Sequence, residues 1–342
     1  MNKKLVFGLI ILAAFFLSAI FADFLAPYDY RQQSRQQPSA PPSSIHFLDI
    51  NGNFQLRPFV YAVRLSDPLS LKYAEDFSRP EPLRIFNRGH RYNFLGVIST
   101  DLHLFGLIDP SVRIHLLGTD NLGRDRFSRL LNALRFSLIV SPLGTVLAGI
   151  IGILLGIFSG YAGRFVDAVL MGIADAMMSL PTLILILAAR AAFPLELPPV
   201  SAAFLLIMIF AFTGWAEMAR LARGLVWSMR EREFVLAAKS SGLTEARILF
   251  RHILPNISRP LLTQATLMFP AFLLAEVALS FLGVGLQEPE ASLGNMLTAA
   301  GDLNQLAAGP FMLLSPAIVI FLFVLGIRLV SGGLKQPSAE SS

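Results

Sequence analysis

No cysteine occurs anywhere in the 342-residue chain, which excludes disulfide bonds and thiolate metal sites. Charged residues are scarce at 15%, against 54% hydrophobic residues and a mean hydropathy of +0.60, and this balance excludes an ordinary soluble domain. The pattern Gly-x-x-x-x-Gly-Lys-Ser/Thr is missing, so the chain has no phosphate-cradling loop of its own. Neither His-Glu-x-x-His nor Gly-x-Ser-x-Gly is present to build a hydrolytic centre. His46, His90, His103 and His115 share one stretch without His-x-x-x-His spacing, so they read as solvated or hydrogen-bonded side chains rather than metal ligands.

What is present is a series of long apolar runs separated by basic segments. The net charge of +5 resembles a nucleic-acid footprint, but the Lys and Arg residues cluster beside apolar runs, where they mark the cytosolic side of a membrane. The chain reads as an all-α integral membrane protein with six transmembrane helices, and nucleic acid is not expected as a partner. Lys3 and Lys4 precede an apolar run to Ala22, about the minimum that crosses a bilayer. No Ala-x-Ala site precedes Asp23, so residues 1–22 read as a retained anchor helix rather than a cleaved signal peptide.

Residues 23–116 change composition. Prolines recur and polar residues separate short β-prone runs, which predicts a small β-containing insert between the first two spans, extracytoplasmic if the first helix enters from the cytosol. Ile45–Ile50 and Asn53–Tyr61 flank Asn51-Gly52, the signature of a hairpin with a type I′ turn. Phe86–Ile98 and Leu102–Leu107 are further candidate strands. In the run from Leu117 to Arg129, Thr119 or Asp120 is expected to cap a helix that starts near Asn121.

The later spans are expected at 136–161, 166–192 with a kink at Pro181, 200–217, 257–285 and 310–330, followed by a polar tail at 335–342. Both termini then lie in the cytosol. Gly152, Gly156 and Gly160 continue a row begun by Ala148 at intervals of four, a helix face suited to close backbone packing in lipid. Asp175 and Glu276 are ionisable groups at membrane depth. Asp175 is open to two readings, a pathway group or an interfacial carboxylate paired with a nearby arginine. Glu276 reads as structural, because Ser280 lies one turn away. Arg190, near a span end, is expected to snorkel.

From Glu217 to Arg259 eight basic residues stand against four glutamates, about four net positive charges, which places this loop, residues 229–256 included, in the cytosol. Glu231–Ser241 predicts a short helix ended by Gly242 in a left-handed position. Thr244 is expected to cap a second helix that stops before Pro255. Phe234, Ala237, Ala238 and Ser241 fall on one helical face, one ring among three small residues, suited to close approach by another surface.

Four pieces, LGTDNLGRDRFSRLL, GWAEMARLARG, REREFVLAAKSSG with RHILPN, and EVALSFLGVGLQEP, resemble the second (C-type) membrane subunit of the dipeptide, oligopeptide and nickel permeases of ABC importers, over roughly residues 116–334. The resemblance implies the type I ABC importer permease fold in 117–334 and no catalytic residue. It implies that the segment matching through Ala237, Ala238, Gly242, Leu254 and Pro255 docks on a cytosolic ATPase. It further implies a homologous permease partner, two ATP-binding subunits holding the ATP and Mg, and an extracytoplasmic solute-binding protein at a bacterial inner membrane, with no cofactor bound by this chain. Leu236 stands where the family commonly has glutamate, Ser331-Gly-Gly-Leu where an acidic residue is frequent, and residues 23–116 match no named domain.

Overall fold

The computed structural model describes residues 3–50, 52–67, 71–109, 111–161, 163–301 and 309–335. Asn51 of the expected hairpin turn and the tail beyond residue 335 lie outside the described residues. Helices α1 (Lys3–Ile20), α3 (Arg126–Tyr161), α6 (Pro199–Arg230), α9 (Leu254–Phe281) and α10 (Pro310–Lys335) carry the longest apolar runs. In lipid a lone segment must satisfy its own backbone, and a helix does so internally. Among the described residues, five helical segments are long and apolar enough to cross a membrane. The expected single helix over 166–192 is instead two, α4 (Arg164–Met178) and α5 (Thr182–Ala191), bent by 91° at a break that holds Pro181. Proline lacks the N–H the helix needs and crowds the preceding turn.

The chain divides into two compact units. The first is centred on Leu138–Gly285. Here α3 lies directly against α6. A Cβ on Gly152 would stand 2.6 Å from Met218 Cβ and from the Trp215 carbonyl oxygen, and one on Gly156 would reach 2.8 Å from Ala222 Cβ and strike the Ala219 carbonyl. Gly160 is less crowded, at 3.0 Å from Val226 Cγ1. Lipid tails are as apolar as leucine, so this backbone approach supplies the van der Waals contact that burial alone does not. Where the glycine row ends, three helices meet on one charge. Asp167 of α4, buried, takes two bonds from Arg223 of α6, at 2.7 and 2.5 Å, and one from Ser159 of α3 at 2.5 Å. Arg223 also stacks on the Trp227 ring at 3.5 Å. Sequence reading passed over Asp167, because one carboxylate in the first turn of a helix is an ordinary complement to the helix dipole.

The second unit holds residues 7–137 and 286–326. Its sheet is an antiparallel meander of β1 (His46–Leu48), β2 (Phe54–Asp67), β3 (Lys72–Phe94) and β4 (Ile98–Leu107). The β1–β2 connection is longer than a two-residue type I′ turn. Asp49 N–H donates to the Asn53 carbonyl at 3.0 Å, and Gly52 supplies the positive φ of +81°. Val60, Leu107 and Ile114 form the core beneath the sheet. Short helix α2 (Ala22–Leu25) lies beside β4, and buried His103 bonds the Asp23 and His90 carbonyls, each at 3.0 Å.

The expected cap of the second long helix is misplaced. Thr119 is buried in a turn, donating to the Gln37 carbonyl at 2.6 Å and accepting from Ala40 N–H at 2.7 Å. Asp120 accepts from the N–H groups of Leu122 and Arg124 within the same turn. The capping group is Asp125, whose Oδ2 accepts from Ser128 N–H at 2.8 Å, so α3 begins at Arg126 rather than near Asn121. Several Asx-type residues in one short run compete for the same role, and the tertiary contacts of Thr119 decide it.

Two stability predictions follow from the α3–α6 contact and the ion pair. Gly156→Leu should destabilise the purified chain by about 1–3 kcal/mol through overpacking. Gly172→Ala, at an exposed helical position with nothing within 4 Å of a new Cβ, should leave the melting temperature unchanged or slightly raised. Equal thermal melts for the two variants in detergent would refute the close-packing account. Asp167→Asn should lower the melting temperature more than Ser159→Ala, because it strands the Arg223 charge.

Candidate functional site

Between α6 and α9 the chain makes a two-helix knuckle. Helix α7 (Glu233–Ser240) ends in a Schellman closure between Ser241 and Leu243, with Leu243 N–H on the Ala238 carbonyl at 3.2 Å and Gly242 N–H on the Lys239 carbonyl at 3.0 Å. Gly242 sits between them at φ +76°, a conformation that costs glycine little. Lys239 Nζ reaches Glu245 Oε1 at 2.8 Å across this turn. Val235 and Ala238 are buried, while Phe234, Ala237 and Ser241 are exposed, with Phe234 42% accessible. The face expected from helical spacing is therefore split. Ala238 belongs to the side that anchors α7, and the outward side is Phe234, Ala237 and Ser241.

The second helix of the knuckle departs further. Thr244 occupies the N-cap position of α8 (Glu245–Ile248), but its side chain makes no capping bond. No stop precedes Pro255. The helix continues through a π-turn at Leu249–Ile253 into α9, with Leu254 N–H bonding the Leu249 carbonyl. Widening the turn just ahead of a residue with no N–H accommodates proline without breaking the helix. Leu254 is half-buried and Pro255 exposed. At the knuckle's entrance Arg230 Nη1 donates to the Gly160 carbonyl at 2.6 Å and its guanidinium lies over the Tyr161 ring. The basic character of this loop is thus partly spent on fixing its own root to α3.

In the same unit an open groove of about 760 Å³ runs between α4–α5, α6 and α9. Its walls are mainly apolar and methionine-rich, with Met177, Met178 and Met268. Its polar points include Thr213 and the Glu217–Gln264 pair, where Gln264 donates at 2.8 Å. Asp175 does not line this groove. It pairs with Arg220 at 3.1 Å, both side chains more than half exposed, which is a weak contact on its own. Glu276 is fully buried and accepts from Ser280 Oγ at 3.1 Å. Arg190 does not snorkel. It is 2% exposed and turns back to donate to the carbonyls of Phe193, Pro194 and Leu195, closing the end of α5. Three carbonyls of the loop that follows the helix satisfy a guanidinium as well as water does.

In the second unit the arginines after Asp120 are also buried rather than solvated. Arg124 binds Asp120 at 2.7 Å and also Glu288, and Arg129 reaches Glu288 at 3.1 Å and the Pro289 carbonyl at 3.1 Å. Burial opposes the Arg124 charge, but its hydrogen bonds to Glu288 and Asp120 hold the pKa above the ordinary arginine value. Tyr30 donates to Glu290 at 2.6 Å, and burial followed by that carboxylate pushes its pKa up. Segments 120–129 and 288–290 are thereby joined by charge, a pairing across more than 150 residues that sequence order does not reveal.

Residues 152–335, more than half of the chain, match the family described as binding-protein-dependent transport system inner membrane component. Residues 1–42 match the N-terminal transmembrane domain of oligopeptide transport permease C. The oligopeptide transport system permease protein OppC of Bacillus subtilis is 35% identical over 227 residues, 66% of this chain and 72% of the relative. The dipeptide transport system permease protein DppC of Alkalihalophilus pseudofirmus is 38% identical over 222 residues, 65% and 70% of the two chains. OppC of Mycobacterium bovis is 34% identical over 236 residues, 69% and 79%. The chain therefore belongs to the binding-protein-dependent transport system inner membrane components, as a multi-pass permease subunit of an ABC importer with the type I importer permease fold, in a membrane complex with ATP-binding and solute-binding partners.

Proposed function

We propose that this subunit forms half of the translocation path of a peptide importer and receives force from a cytosolic ATPase through residues 233–256. Support for the peptide substrate comes from the names of the relatives, and support for the coupling role from one observation, the exposed Phe234–Ala237–Ser241 face on a knuckle rooted in buried residues. In this reading the bent α4–α5 pair counts as one span, giving six, with both termini and the knuckle cytosolic and the sheet of residues 46–107 outside. The 760 Å³ groove is one wall of the path, covered by a homologous permease subunit. Two ATP-binding subunits hold ATP and Mg, and a solute-binding protein docks outside. This chain contributes no catalytic group and binds no cofactor.

Mechanistically, the ATPase must contact the knuckle differently in its open and closed states, since equal contact with both would shift nothing. A knuckle with a fixed turn at Gly242 and a continuous helical path into α9 transmits displacement instead of absorbing it. An ATP-independent transporter or channel is the alternative reading, and no family match or relative favours it.

Ala237→Glu should weaken ATPase association about tenfold or more, the effect of losing roughly 1.4 kcal/mol at a central contact. Gly242→Pro should abolish uptake, because proline's fixed φ near −65° cannot replace +76°. Peptide uptake by cells carrying each variant at normal membrane abundance is the measurement, and wild-type uptake in both would overturn the coupling role. Ala238→Glu is a poorer test, since Ala238 is buried and the variant disturbs α7 itself. Purification in mild detergent should bring down an ATPase and a homologous permease. Transport by this chain alone in liposomes under an ion gradient would instead establish the ATP-independent alternative.

A further inference from the structure

Hairpin turns that face water favour Asn, Asp and Gly. The β3–β4 turn reads Phe94-Leu95-Gly96-Val97-Ile98. Leu95, Val97 and Ile98 are 65%, 85% and 61% exposed, and Leu95 holds a left-handed φ of +51°. Leucine offers no local hydrogen bond to offset that conformation. A projecting run of apolar side chains of this kind marks a surface that meets protein or membrane.

Ring contacts give the hairpin's direction. Near its base, Phe86 lies against Phe24, with centroids 6.2 Å apart. One residue farther along, at the level of Asn87, His103 bonds the Asp23 carbonyl. At the tip, Phe94 stacks on Phe21 at 5.5 Å and 28°. From base to tip the hairpin therefore tracks the chain backwards, from Phe24 to Phe21, toward the end of α1. The neighbouring side chains at that end of α1, Leu17, Ile20 and Phe21, are themselves exposed. Above the tip on β3, Arg88 and Arg91 project into solvent without an ion-pair partner among the described residues.

We propose that the β3–β4 hairpin tip dips into the outer leaflet beside α1, with Leu95, Val97 and Ile98 at the acyl boundary and Arg91 above them on the headgroup side. An apolar end below a cationic side chain matches the layering of a bilayer interface. The occupant is lipid because the patch continues the lipid-facing surface of a membrane span. The inference rests on reading Lys3–Ile20 as that span.

The absence of cysteine makes the test direct. Single variants Val97→Cys, Leu95→Cys and Ile10→Cys, each spin-labelled, are assembled with cysteine-free partner subunits in phosphatidylcholine–phosphatidylglycerol liposomes. Relaxation by oxygen is compared with relaxation by an aqueous nickel chelate. Oxygen should dominate at positions 97 and 95, as it does at position 10 within α1. Dominance of the nickel chelate at 97 and 95 means a water-facing tip and overturns the proposal. An immobilised label shielded from both reagents means a protein-covered tip and overturns it equally. Failure at position 10 would instead remove the span reading, separating the two claims.

Discussion

The buried Asp167 carboxylate is the constraint on which the arrangement of α3, α4 and α6 depends. A buried carboxylate stripped of its partners is costly, so its three bonds, two from Arg223 and one from Ser159, hold the junction together. Each partner sits on a different helix. Satisfying one charge therefore fixes the rotation and axial position of all three. The glycine row of α3 then needs only to be narrow enough to let α6 close, and Gly152 and Gly156 provide that. Charge gives the register, and small residues give the proximity.

The same junction sets the root of the knuckle. Arg223, Trp227 and Arg230 follow one another along α6, bonding Asp167, stacking on Arg223 and bonding Gly160 in turn. The last turns of α6 are consequently tied to α3 and α4 before the chain leaves for α7. A docking segment hung from a frayed helix end would dissipate displacement in local unfolding. Here the helix end is pinned on two sides, and α8 leads into α9 without a break.

Periodicity made the glycine face legible, and turn chemistry made Gly242 legible, because both are local rules with strong steric causes. Less was legible where a side chain had several local options and a distant partner chose between them. Thr119, Asp120 and Asp125 are each competent caps, and the contacts of Thr119 with Gln37 and Ala40, some 80 residues earlier, leave the role to Asp125. Arg190 at a span end reads as snorkelling until the loop after α5 folds back and offers it the carbonyls of Phe193, Pro194 and Leu195. Ala238 shares a helical face with Phe234 by spacing, but the buried side of α7 is centred on Val235 and Ala238, so one alanine anchors while the other projects. Asp167 carried no signal at all, since its importance lies in Arg223, 56 residues later.

Pro181 and Pro255 show how the same residue yields opposite results. At Pro181 the helix breaks and turns by 91°, so the chain from α4 to α5 lines the groove along two directions. At Pro255 the helix survives, because the π-turn from Leu249 to Ile253 has already widened the turn ahead of it. In the proposed coupling the difference is functional. Displacement entering at α7 passes the Gly242 turn and then follows an unbroken helical path from α8 into α9, whereas the wall of the path opposite α9 contains a bend. The stiff element would then move as a body and the bent element would accommodate it, which assigns the change in groove shape to α4–α5 rather than to the helix that carries the load.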